Sequence, residues 1–175
     1  GTNTVTFDGS AATIDVNSTE TFYNLTFNPS AGVTKTVANS DTLIVTGTLT
    51  LSEGLISQTT IPAGGTIAAR GNISQNSNFD GGTGKIVIDG TGSQTFTGGG
   101  STSAGTLPDI EINKASGTLT LSSVIRTTND WTFTSVGTGS LDATTNDSTV
   151  VFASTVTISG THTLDNVELN GGNAI

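Results

Sequence analysis

A chain of 175 residues suffices for one ordinary domain or a stretch of a repeat array, and is too short for two large domains with separate cores. It holds 36 threonines and 23 glycines, 11% charged and 33% apolar residues, and neither cysteine nor methionine; this mixture opposes helices and excludes a disulfide framework or a thiolate metal site. Fourteen acidic against five basic residues give a net charge of −9, and Lys35, Arg70, Lys85, Lys114 and Arg126 lie scattered, so nucleic acid is not expected as a partner.

Mean hydropathy near zero and abundant β-branched residues argue against charge-driven disorder. No apolar run approaches bilayer length, so no membrane insertion is expected. The start at Gly1 rather than Met leads us to expect a processed or excised segment.

In chain order, Thr4 to Phe7, Leu43 to Leu51, Thr118 to Leu121 and Thr155 to Ile158 alternate Thr with an aliphatic or aromatic residue, which is the period of a strand with one face buried. The first strand is expected over 2–7 and the last over 163–169. Between such runs lie Asp8-Gly9, Gly64-Gly65, Asp80-Gly81-Gly82, Asp89-Gly90 and Gly98-Gly99-Gly100, all turn chemistry. The pattern predicts about fifteen short strands and no helix.

Two anchors recur in fixed order. Thr4-Val5-Thr6-Phe7-Asp8-Gly9-Ser10 is matched by Lys85-Ile86-Val87-Ile88-Asp89-Gly90-Thr91 and, loosely, by Thr149-Val150-Val151-Phe152-Ala153-Ser154. Phe22-Tyr23-Asn24-Leu25-Thr26-Phe27-Asn28 is matched by Leu107-Pro108-Asp109-Ile110-Glu111-Ile112-Asn113 and by Leu164-Asp165-Asn166-Val167-Glu168-Leu169-Asn170. These define repeats over 4–84 and 85–148 and a truncated third over 149–175.

Within each repeat the anchors begin 18, 22 and 15 residues apart, about the length of one solenoid coil of three short strands. The fold expected is therefore all-β, a parallel β-helix (β-solenoid) of irregular repeats. Tandem β-sandwich domains are the alternative; aromatics at 5%, with Trp131 the lone tryptophan, would leave each sandwich little core.

The succession "TVTFDGS", "FYNLTFN", "GTLTLS", "NDWTFT", "GTGSLDA" and "STVVF" resembles the Thr- and Gly-rich β-strand repeats of large bacterial surface proteins. Filamentous-haemagglutinin-like and autotransporter adhesins are similar in style. The resemblance implies a right-handed parallel β-helix outside the cell, at the cell surface, as a stalk, adhesin, filament or surface-layer component.

No residue earns a catalytic, cofactor-binding or metal-binding role. His162 is the only histidine and no G-x-S-x-G elbow accompanies it, so it reads as an exposed strand residue. Asp109 with Glu111, and Asp165 with Glu168, are the nearest acid pairs, but Glu111 and Glu168 take the outward position held by Thr26. Calcium would need the acidic Gly turns at Asp8, Asp80 and Asp89 to converge. Thr-x-Thr pairs occur at Thr34/Thr36, Thr46/Thr48/Thr50, Thr95/Thr97, Thr118/Thr120, Thr132/Thr134, Thr155/Thr157 and Thr161/Thr163. Their uneven spacing predicts no unbroken rank.

The expected protein is thus a non-enzymatic extracellular structural segment that associates end to end or with flanking repeats. A carbohydrate- or ice-binding module using one face is the alternative, with a cell-surface glycan as possible partner.

Overall fold

The computed structural model describes residues 1–59, 64–135 and 137–171. The end of the third repeat, 172–175, lies outside the described residues.

The chain winds through seven successive coils. The first holds β1 (Thr4–Phe7), β2 (Ala12–Ile14) and β3 (Thr19–Phe22); the second, β4 (Asn24–Phe27), β5 (Thr34–Val37) and β6 (Thr42–Val45). The third holds β7 (Thr48–Leu51), β8 (Gly54–Gln58) and β9 (Thr66–Ala69); the fourth, β10 (Asn72–Gln75), β11 (Phe79–Gly81) and β12 (Lys85–Ile88). The fifth has only β13 (Gln94–Thr97) and β14 (Asp109–Ile112), and the sixth has β15 (Thr118–Ser122), β16 (Val124–Thr127) and β17 (Trp131–Phe133). The seventh comprises β18 (Ser140–Asp142), β19 (Thr149–Phe152) and β20 (Ile158–Ser159), with β21 (Asn166–Leu169) above it.

Stacking places the first strand of every coil on one face, A, in the order β1-β4-β7-β10-β13-β15-β18. The third strands form face C, β3-β6-β9-β12-β14-β17-β20, and the second strands form face B, split into β2-β5-β8-β11 and β16-β19-β21. Every ladder among the described residues is parallel, so the fold is a β-solenoid and not a row of sandwiches. One coil takes 17 to 27 residues, as the partners Thr149↔Asn166, Thr4↔Asn24, Leu25↔Leu49 and Trp131↔Ile158 show.

Alternation fixes what is inside. On face A the inward column runs Leu25, Leu49, Ile73, Phe96, Leu121, all buried, each worth about 1.5–3 kcal/mol of burial. Their neighbours point out, and there the branched Cβ of Thr suits the pleat. The same column begins at Val5, which is 39% exposed because nothing covers it. Ile158, Val167 and Leu169 at the other end are likewise inward positions that are exposed, with no strand stacked on them among the described residues; their partners one coil back, Trp131, Val150 and Phe152, are fully buried.

The anchors occupy neighbouring coils in register: Thr4 lies on Asn24, Lys85 on Asp109, and Thr149 on Asn166. Yet the first pair is on face A, the second on face C and the third on face B. Each copy is thus displaced by one face relative to the last.

Face B is interrupted because 98–105 leaves the coil, returning at Thr106, which bridges Asp80. Gly98 starts the departure where a Cβ would overlap the Val124 carbonyl. The N–H and C=O of Arg126 would otherwise lose the strand beneath. Buried Gln75 supplies both partners, Nε2 donating to the Arg126 carbonyl at 3.0 Å and Oε1 accepting its N–H at 3.3 Å. One side-chain amide thereby stands in for a peptide.

Candidate functional site

Of the five cations, Lys35 and Lys114 are buried, Arg70 and Lys85 are ion-paired, and Arg126 is held by a backbone carbonyl. Lys35 is inward on β5 and donates Nζ to the carbonyls of Asp8 and Ser10. Fully buried Lys114 donates to the carbonyls of Gly90 and Gly92 and to Gln94 Oε1, while Gln94 Nε2 donates to the carbonyls of Ala69 and Gly71. Burial holds the Lys114 ammonium below the ordinary lysine value, against the attraction of Asp89.

The Asp8-Gly9 and Asp89-Gly90 turns are therefore each fastened by an ammonium from the next coil. Asp80 accepts the Gly32 N–H and Asp89 pairs with Arg70 at 3.1 Å, so the turns considered for calcium do not converge. Among the described residues no three acid or imidazole groups are placed so that they could hold one metal ion. Arg126 donates Nη1 to the Gly105 carbonyl and tethers the excursion.

Face C carries the acids. Lys85, Asp109, Glu111 and Asp130 line a shallow cleft of about 270 Å³ with Gln58, Thr132 and Thr134. Lys85 pairs with Glu111; burial would raise the Glu111 carboxyl, but hydrogen bonds from Lys85 and Thr134 and the Lys85 charge hold it below its usual value. Burial raises the Asp109 carboxyl above its usual value; the Asp130 N–H opposes, the Asp130 charge adds and the Lys85 charge opposes.

The acid beside Asp109 on the next coil is thus Asp130, which sequence reasoning missed; the in-register pairing of Ile110 with Trp131 puts it there. Its carboxylate is occupied, accepting the Thr157 N–H at 2.8 Å. Both carboxylates serve backbone amides, an arrangement that holds coils together. Asp165 donates no such contact to Glu168: it accepts from Asn166, and Glu168 from Asn170.

His162 is not on a strand. It stacks on Phe133 with ring centroids 5.5 Å apart and planes 24° apart, and its Nδ1 is buried without a partner. Burial holds its pKa below the ordinary imidazole value, a Gly160 backbone contact opposing. The expectation of an exposed strand residue is corrected: Phe133, inward on a coil with incomplete cover above, needs a lid.

Face A carries the most regular surface. Its first outward column reads Thr4, Asn24, Thr48, Asn72, Thr95, Thr120, and its second reads Thr6, Thr26, Thr50, Ser74, Thr97, Ser122. All twelve are neutral hydroxyls or amides. The first charge in either column is Asp142, on the seventh coil. Thr-x-Thr itself forms no unbroken rank, as expected, because Asn24, Asn72, Ser74 and Ser122 interrupt it; what runs unbroken is a rank of uncharged polar residues.

The corner where face C turns into face A forms a trough. Stacked Gly47 and Gly71 make its floor, since a Cβ on Gly71 would overlap the Gly47 carbonyl. Tyr23, 44% exposed, stands beside Asn24, Thr48, Arg70 and Asn72 in a cleft of about 510 Å³. The side-chain Oδ1 atoms of Asn24 and Asn72 accept the Thr48 and Thr95 N–H groups, both at 2.9 Å.

No known protein family, curated protein or solved structure matches the chain.

Proposed function

We propose that this chain is a structural segment of an extracellular surface protein, a stalk, filament or surface-layer element without catalytic chemistry. The observation that carries the reading is how its charged groups are used. Lys35 and Lys114 fasten turns, Asp41 accepts the Val16 and Ser18 N–H groups from the coil below, and Asp109 and Asp130 bind amides of the coil above. Charge is spent on joining coils. The resemblance in sequence style supports a cell-surface setting.

Open apolar positions at Val5, Ile158, Val167 and Leu169 support the stacking of further coils, from flanking repeats or a second copy. Sedimentation and electron microscopy of the chain test this: the expected result is end-to-end association that Val5→Lys and Val167→Lys abolish. A strictly monomeric particle at high concentration overturns self-association. Turnover of a polysaccharide that Asp109→Ala or Asp130→Ala removes overturns the non-enzymatic reading.

A second reading, a module that binds along one face, is favoured by the uncharged double column of face A and the adjoining trough with its exposed Tyr23. An aromatic ring beside amides suits a glycan.

A further inference from the structure

We infer that face A is an ice-binding surface whose ligand is a lattice of ordered water. This deepens the one-face binding reading and rests on it. Threonine is periodic in many sheets; what singles out face A is that both outward columns keep register through six coils without a charged or bulky interruption.

The other faces fail this criterion. Face C carries Lys85, Asp109, Glu111 and Asp130 in the same two outward columns. Face B has a register shift between β8 and β11 and then the excursion at 98–105. The surface therefore repeats in two directions on one side only. Neighbouring coils set an interval of about 4.8 Å and alternate residues along a strand one of about 6.6 Å. Both lie close to spacings at which oxygen positions recur on the faces of hexagonal ice.

The chemistry selects among ligands. A dissolved sugar offers hydroxyls that merely replace the water already on Thr50 or Thr26, so each contact adds little. A solid lattice gains the same small term at every coil without a new ordering cost, because the groups are already fixed. The χ1 of a β-branched Thr is stiff, and the ladder beneath holds its Cα in place. The Thr methyls between the hydroxyls shed loosely held water, and the absence of charge leaves the first water layer free to follow the lattice.

The test uses the intact chain and ice itself. A folded sample is slowly frozen onto a seeded ice shell, and the protein taken into the ice is compared with that left in the liquid; inhibition of recrystallisation gives a second readout. Thr50→Lys and, separately, Thr97→Lys place a charge in the double column, whereas Thr36→Lys places one outward on face B. Melting curves establish that all three fold.

Enrichment of the parent and of Thr36→Lys in ice, lost in Thr50→Lys and Thr97→Lys, supports the inference. Exclusion of the folded parent from ice, or equal behaviour of face A and face B variants, overturns it. Cosedimentation with crystalline cellulose or chitin, lost in Thr50→Lys and without partition into ice, also overturns it while leaving one-face binding intact. Binding to neither ice nor powder removes both.

Discussion

Faces A and B are made by the same turns of the same chain, yet A keeps its ladder through seven coils while B breaks after four. Propensity contributes, since β8 and β11 beside the break each hold Gly and no Thr. The rest lies in what happens to the peptide groups when a strand leaves. At the break, Gln75 answers both backbone groups of Arg126 and Thr106 accepts the Thr128 N–H at 2.8 Å. A solenoid tolerates a lost strand where side chains of adjacent coils can complete the hydrogen bonds, and the side chain that does so here, Gln75, comes from face A.

The comparison breaks most severely under insertion. One residue inserted between Leu49 and Thr50 would turn Thr50 inward and Leu51 outward, and should abolish the cooperative melt. The same insertion between Ser101 and Thr102 only lengthens the excursion and should cost within about 0.5 kcal/mol. Equal damage from both would mean that the faces do not differ as argued.

Next in size, Leu25→Asp buries a charge in the face A column and should cost about 4 kcal/mol or more, whereas Thr48→Asp, one coil on and outward, should stay within about 0.5 kcal/mol in denaturant melts. Gln75→Leu sharpens the other side. It should cost about 1–3 kcal/mol, and hydrogen exchange should accelerate at Arg126 while the Thr50 amide is unchanged.

The smallest effect is at the far end, where both faces lose their cover. The His162 pKa is lowered by burial, so the stability it allows is complete above the ordinary imidazole value and is lost as pH falls through that value toward the lowered one. Exchange in β20 should rise over that window and β7 should not respond; a His162→Phe variant should flatten the profile.

The solenoid itself was readable because strand period and turn chemistry agree along the chain, and the paired anchors do stack one coil apart. The columns were not readable. Coil length wanders between 17 and 27 residues, so linear spacing does not say which residues share a column, and only register does. Asp130 escaped for this reason: it is 21 residues from Asp109 in the chain and beside it in the sheet. Gln75 escaped because nothing local marks an amide whose partner is 51 residues on. The expected strand over 155–158 shrinks to Ile158–Ser159, since alternation alone does not make a ladder where the neighbouring coil is incomplete.

The displacement of each repeat by one face bears on how such a rod would respond to bending. The Lys35 fastening lies at the corner from A to B and the Lys114 fastening at the corner from C to A, while the matching turn of the third copy, at Ala153 and Ser154, falls at the corner from B to C. A rod reinforced along one edge bows away from that edge under load. With ammonium fastenings at two of its three corners, this rod is reinforced along two edges rather than one, so bending is not directed away from a single edge.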